Sequence, residues 1–127
     1  MDLKLESREG FLLATAAGQV SLDAVLEVHR KICDAATKGG FNKILYDCSA
    51  ITGELSALEE YEIAETIAAY RVSKSVNPKV ALIGKPPTVT GFAAQVAMNC
   101  GLTVLTFSER QAGVDWLNRY GSKSTPT

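Results

Sequence analysis

Hydrophobic and polar residues alternate along this chain with two different periods. Leu3 and Leu5 alternate with charged residues, which predicts a half-buried strand, and the apolar run over residues 11–17 predicts a more buried one. Residues 22–36 then carry apolar side chains at helical spacing, and Ser21 precedes them as a helix cap. The chain therefore opens with two strands followed by a helix.

The same patterns continue along the rest of the chain. The remaining predicted elements are three strands over residues 43–47, 79–83 and 102–107, and three helices over 56–73, 88–99 and from 108 onward. Ser56 and Glu59 form a capping box at the start of the first of these helices. The order ββαβαβαβα predicts an α/β fold, with a mixed, mostly parallel sheet of about five strands and about four helices. We expect one domain over residues 1–120 and a disordered tail over residues 121–127.

Composition removes several classes of function. The 127 residues are 46% hydrophobic and 21% charged, which excludes a disordered chain, and a net charge of -1 does not suggest a nucleic-acid binder. No apolar run is long enough to span a bilayer, and the N-terminus lacks the apolar core of a signal peptide, so a cytoplasmic protein is expected. Three cysteines and one histidine predict reduced thiols, no metal and no cofactor.

Two loops follow the carboxyl ends of parallel strands, where ligands collect in open α/β sheets. Their polar residues and one glycine are candidates for contact with a ligand or partner: Asp47, Ser49, Thr52, Gly84, Lys85, Thr88 and Thr90. Gly84 would allow close approach of the backbone, Lys85 could neutralise an anion, and a helix N-terminus near Thr88 would offer free N–H groups. The alternatives are a proline-stiffened turn and a structural Asp47 that braces the loop after its strand.

Three further features could carry a function. Glu59 and Glu62 belong to an acidic segment, which is either a solvated helix face or a docking face for a basic partner. Cys48 could act as a nucleophile only with His29 as its base, although a packed histidine is the simpler interpretation. The helix over residues 88–99 is rich in small residues and could cover a ligand cavity. That cavity would be bordered by Phe92, Val96 and Met98.

The element order, together with the sequence Asp47-Cys-Ser-Ala-Ile51 at the end of the central strand, resembles the STAS domain of anti-sigma-factor antagonists. Ala112, Trp116 and Leu117 on the last helix are similar to a STAS and lipid-transfer-like branch of mostly uncharacterised bacterial proteins. The likeness covers residues 12–117.

In those antagonists a serine at a helix start is phosphorylated, and the resemblance places that position at Ser56. Leu55, Ala57 and Leu58 differ from the family's motif, and Ser56 is equally explained as a helix cap.

The expected function is therefore a non-catalytic, STAS-like regulatory module that binds a protein partner. The alternative is a carrier of a small lipid-like or anionic ligand, and a hydrolase is a third reading. Self-association through the edge strand around residues 3–6 is also open, although its Lys4 and Glu6 are of the kind that discourages strand pairing.

Overall fold

Nine elements make up the structure, which is a computed structural model that describes residues 1–122. In chain order they are β1 (Asp2–Arg8), β2 (Phe11–Gln19), α1 (Leu22–Gly39), β3 (Lys43–Thr52), α2 (Ala57–Lys74), β4 (Lys79–Ile83), α3 (Phe92–Asn99), β5 (Thr103–Phe107) and α4 (Arg110–Ser122). The predicted α/β class and the order ββαβαβαβα are confirmed. Most of the predicted tail lies outside the described residues, and the prediction for it stays untested.

One mixed sheet contains all five strands in the order β1-β2-β3-β4-β5. β1 pairs antiparallel with β2, and the three other neighbouring pairs are parallel. Each crossover between parallel strands contains a helix, as parallel connections require. The order of strands in the sheet follows the order in the chain. β3 is the central strand, and β1 lies at an edge, as the sequence predicted.

Helices cover both faces of the sheet. Residues of α1, α2 and α3 share a core with alternate residues of the strands, among them Ile44, Tyr46 and Cys48 of β3. On the other face, α4 packs Trp116 and Leu117 against a smaller group of residues: Leu13, Leu45, Ala81 and Ile83. The period of two along β3 thus sends successive side chains into two separate cores.

The helix ends follow the capping signals in the sequence. Ser21 accepts a hydrogen bond from the Ala24 N–H at the start of α1, and Gly40 ends that helix in the left-handed conformation. Ser56 and Glu59 form both hydrogen bonds of the predicted capping box at the start of α2. These ends satisfy backbone groups that a helix leaves without intrahelical partners.

Two predicted boundaries were wrong. β3 continues beyond residue 47 to Thr52, because β2 still pairs with it there through a register shift after Thr15. α3 begins at Phe92 and not at residue 88, and Pro86 and Pro87 lie in the turn that precedes it. Phe92 was expected to border a cavity beneath this helix. It is instead 42% exposed.

Helix α4 approaches the sheet closely at Gly113. A Cβ atom at this position would lie 2.8 Å from Ile83 Cδ1 and 2.9 Å from Leu45 Cδ1. The absence of a side chain thus lets the helix pack directly on strands β3 and β4.

We expect Gly113→Leu to destabilise the fold by about 2 kcal/mol, because overfilling a packed core typically costs about 1–3 kcal/mol. Ala112→Leu is the matched control, since the neighbouring residue is exposed on the same helix. Urea unfolding of both variants measures the difference. Equal stability of the two variants would contradict the close packing at Gly113.

Candidate functional site

The loops after β3, β4 and β5 meet at the carboxyl edge of the sheet. They line a surface depression of about 530 Å³ that includes Asp47, Ser49, Lys85, Thr88 and Arg110. Four of these residues were predicted from the sequence as contact candidates, and the structure brings them to one place. Arg110 was missed, because it lies beyond a separate strand at the start of the last helix.

Asp47 is buried, and its carboxylate accepts hydrogen bonds from Ser49 and Arg110 at this edge of the sheet. Its Oδ1 accepts hydrogen bonds from the Ser49 N–H at 2.9 Å and from the Ser49 hydroxyl at 2.5 Å. Its Oδ2 accepts from Arg110 Nε at 2.9 Å and lies 2.8 Å from Arg110 Nη2. The carboxylate therefore braces its own strand end, as one of the two interpretations proposed, and also ties that end to α4.

These partners keep the Asp47 carboxylate charged. Burial alone would raise its pKa, but the hydrogen bonds from Ser49 and the ion pair with Arg110 outweigh burial and hold the pKa below its usual range. At the rim, Lys85 Nζ lies 3.9 Å from Glu109 Oε2, and both side chains are well exposed. Their ion pair is therefore weak. Most of the charge in the depression is thus already paired within the protein.

Thr88 and Gly84 hold the second loop in place. The Thr88 hydroxyl donates to the Gly53 carbonyl at 2.6 Å, and this bond joins the loops after β3 and β4. Because α3 begins at Phe92, no helix N-terminus lies at Thr88, and the free N–H groups expected there are absent. A Cβ at Gly84 would lie 2.4 Å from Val89 Cγ2, so the space beside this glycine is filled by the protein.

The two other predicted threonines lie elsewhere. Thr52 faces β2, where its hydroxyl lies 3.4 Å from the Gly18 carbonyl. The Thr90 hydroxyl accepts a hydrogen bond from the Phe92 N–H at 3.3 Å, and the residue lines an interior cavity. Neither belongs to the depression at the carboxyl edge.

The outer face of α2, defined here by Leu58, Tyr61, Glu62 and Glu65, combines apolar and acidic side chains. Leu58 is 75% exposed and Tyr61 is 45% exposed. Glu62 and Glu65 are exposed further along the same helix. The neighbouring helix α3 adds two more exposed apolar side chains, Phe92 and Met98. Large exposed apolar residues on adjacent helices are a feature of interaction surfaces.

Glu59 and Ser56 are partly occupied by the capping box. Glu59 Oε1 accepts a hydrogen bond from the Ser56 N–H at 2.9 Å, and Ser56 Oγ accepts from the Glu59 N–H at 3.1 Å. Ser56 is exposed at the start of the outer face of α2. Of the two glutamates predicted as a docking face, Glu62 is the one whose side chain points freely to solvent.

Cys48 is buried and His29 is partly buried, and this burial opposes the chemistry that a cysteine hydrolase needs. Burial raises the pKa of the Cys48 thiol to about 12, despite a hydrogen bond from Tyr46. Burial, with a smaller effect of Arg71, lowers the pKa of His29 to about 3. His29 packs edge-to-face on Tyr46, with 4.9 Å between ring centres. The thiol thus stays protonated and the histidine acts as a packed core residue, contrary to the hydrolase hypothesis.

Two cavities lie between the sheet and the helices α2 and α3. The larger, of about 90 Å³, is lined by residues that include Glu60, Thr90 and Ala94, and the smaller, of about 50 Å³, by residues that include Arg71 and Ala97. Phe92, Val96 and Met98, which were expected to border such a cavity, line neither of them. Sites for drug-sized ligands have volumes of about 300–1,000 Å³, so a lipid-like ligand does not fit this interior.

Glu60 and Arg71 are functional candidates that were not predicted from the sequence. Both are buried on α2. A signal for Arg71 was present, because Ile63, Ile67 and Arg71 follow one another at intervals of four residues and so share the inner face of the helix.

Within residues 1–122, no group of three His, Cys, Asp or Glu residues is arranged to hold a metal ion. Over the same residues, no helix is long and apolar enough to cross a membrane.

Comparison with known proteins gives matches of fold. A structure of the anti-sigma factor antagonist SpoIIAA in its unphosphorylated form is 12% identical, with a TM-score of 0.53, and the match covers 92% of this chain and 98% of that one. A serine-to-glutamate variant of Moorella thermoacetica RsbS is 13% identical, with a TM-score of 0.57 and coverage of 91% and 96%. This chain has the fold of an anti-sigma-factor antagonist. The predicted resemblance to STAS domains is thereby confirmed for the fold. No protein-family model and no curated protein matches the sequence.

We expect Asp47→Asn to lower the free energy of unfolding at pH 7 by about 1–3 kcal/mol, because charge-assisted hydrogen bonds are weakened. The pKa of Asp47 is lower in the folded chain than in the unfolded one, so its contribution is complete above about pH 4 and is lost as the pH falls further. Denaturant unfolding from pH 7 to pH 3 should show the difference from the native chain shrinking below about pH 4. Asp115→Asn, at an exposed position, is the control. If the free energy of unfolding of Asp47→Asn differed from that of the native chain by the same amount at every pH, a charged carboxylate at Asp47 would be contradicted.

The thiols should differ sharply in reactivity, since Cys33 and Cys48 are buried and Cys100 is exposed. Reaction of the native protein with a disulfide reagent such as Ellman's is expected to modify Cys100 rapidly and the two buried thiols only on unfolding. A Cys100→Ser variant should show no fast phase. Fast reaction of Cys48 in that variant would restore the case for a nucleophilic cysteine.

Proposed function

We propose that this chain is a non-catalytic regulatory module that binds a protein partner through the outer face of α2. The observation that carries the proposal is the exposure of Leu58 and Tyr61 on a helix that is capped at its start and anchored along its inner face. A rigid helix with exposed apolar side chains loses little conformational entropy on binding.

The chemistry of this face favours one kind of partner. Tyr and other aromatic residues are enriched at the centres of protein interfaces, where they fill pockets on the partner. Glu62 and Glu65 add negative charge beside Tyr61. We therefore infer a partner surface that carries an apolar pocket bordered by Lys or Arg.

The fold comparison supports the same class of function. SpoIIAA is described as an antagonist of an anti-sigma factor, which is itself a protein. The raised pKa of Cys48 and the lowered pKa of His29 do not favour a cysteine hydrolase that would use this pair.

A modification of Ser56 would fall at the edge of this interface. The Ser56 hydroxyl is exposed at the N-terminus of α2, where a phosphate would gain from the helix dipole. It would also lie beside Glu59 and replace a hydrogen bond of the capping box. Phosphorylation of Ser56 therefore stays a prediction, with weaker binding to the partner as its expected effect.

The experiment compares the proteins captured by three forms of the tagged chain from cells that contain it. The forms are the native chain, Glu62→Lys with Glu65→Lys, and a control with Glu9→Lys and Asp115→Lys. All four positions are exposed, and the two variants change the net charge equally. Glu59 is left unchanged because its substitution would also remove one hydrogen bond of the capping box.

We expect a protein that the native chain and the control both capture. Its capture by the variant Glu62→Lys with Glu65→Lys should fall at least tenfold, which corresponds to about 1.4 kcal/mol of binding free energy. Leu58→Asp should cause the same loss without lowering the melting temperature, because Leu58 is largely exposed. Unchanged capture by both α2 variants would overturn the proposal.

A further inference from the structure

Two of the three nitrogen atoms of a guanidinium group in the core have no hydrogen-bond partner among the described residues. Arg71 is 4% exposed, and its Nε and Nη1 atoms have no hydrogen-bond partner among the described residues. An arginine remains protonated in proteins, and an isolated buried charge is strongly unfavourable. The structure around Arg71 therefore lacks a negatively charged or hydrogen-bonding group that this side chain requires.

The described residues supply no buried counter-charge to Arg71. Of the described residues, the buried charged ones are Asp47, Glu60 and Arg71. Asp47 is paired with Arg110 at the carboxyl edge of the sheet. Glu60 precedes Arg71 by eleven positions on α2, which is about 16 Å along the helix axis at about 1.5 Å per residue. His29, which lines the same cavity, is held neutral by burial and by Arg71, since its pKa is about 3.

Space for a counter-ion is present. Arg71 lines the cavity of about 50 Å³, whose other walls are almost entirely apolar. This cavity shares His29, Ile63, Leu82, Ala93 and Ala94 as walls with the cavity of about 90 Å³. Together they approach the apolar cavity of about 150 Å³ that admits benzene in another protein. The interior thus has room for a ligand of several non-hydrogen atoms.

The charges at the two ends orient such a ligand. Arg71 lines only the smaller of the two cavities and Glu60 only the larger. A negative group is attracted to Arg71 and repelled by Glu60, while the alanine-rich walls between them favour an apolar chain. Thr90 lines the larger cavity and is itself exposed, so the Glu60 end adjoins the surface.

We propose that this interior site binds a small organic carboxylate with a short apolar chain. The carboxylate accepts hydrogen bonds from the Arg71 guanidinium, and the chain lies along Ala93, Ala94 and Ala97 of α3. This site is separate from the outer face of α2, and its ligand offsets the cost of burying Arg71.

Butyrate is the probe, and n-butanol is the control of similar length without a charge. Added to the full chain, butyrate should raise the melting temperature by about 5 °C at ten times its Kd, and the rise should follow the logarithm of its concentration above the Kd. Butanol and sodium chloride should not. A shift that is absent for butyrate, or equal for butanol, would overturn the proposal and indicate that water alone fills the cavity.

Two variants separate the charge from the space. Arg71→Met keeps a long side chain but removes the charge, and it should abolish the response to butyrate without lowering the melting temperature of the unliganded chain. Ala97→Val keeps Arg71 but narrows the cavity. The affinity of this variant for butyrate should therefore be at least tenfold lower than that of the native chain. A full response in either folded variant would contradict the proposed site.

If either variant fails to fold, isotope-labelled butyrate with the native chain decides the question. Nuclear Overhauser contacts from its methyl group to the alanine methyl groups of α3 are expected. Contacts confined to surface residues would overturn the interior site.

Discussion

The structure depends on burying strand β3 on both of its faces. Ile44 and Leu45 are among the least exposed residues of the protein, yet they point to opposite sides of the sheet. A strand of this kind has to be covered by helices on both sides, and the chain supplies α1, α2 and α3 on one side and α4 on the other. The close approach of α4 also brings Arg110 to the carboxylate of Asp47, which is why the end of β3 is braced by charge.

Helix α2 has two chemically different faces because it forms part of this cover without a further layer above it. Its inner face carries Glu60 and Arg71 into the core, and its outer face leaves Leu58 and Tyr61 in solvent. A uniformly apolar inner face would carry a smaller desolvation penalty. Stability alone therefore does not explain why Glu60 and Arg71 are buried there. A partner on the outer face and an anion at the inner one would lie on opposite sides of one helix. The occupancy of one site could then influence the other through the position of that helix.

The sequence predicted the elements whose signals are local. The capping box at Ser56, the glycine after α1 and the period of two in the strands all depend on residues close together in the chain. The predicted start of α3 near Thr88 was wrong, because the Thr88 hydroxyl bonds to the distant Gly53 carbonyl and the helix begins at Phe92. Arg110 beside Asp47 and the cavity at Arg71 arise from packing between elements far apart in sequence, so periodicity could not place them. Among the candidate residues, the strand-end group was brought together because parallel strands end at one edge of a sheet.

The central claim is that the outer face of α2 is a protein interface, and a photo-cross-linking residue placed at position 61 in living cells tests it most directly. The same residue at position 112, exposed on α4, provides the comparison. The account predicts a discrete covalent adduct with one protein from position 61 and none from position 112. The absence of an adduct from position 61, or the same adducts from both positions, would contradict it.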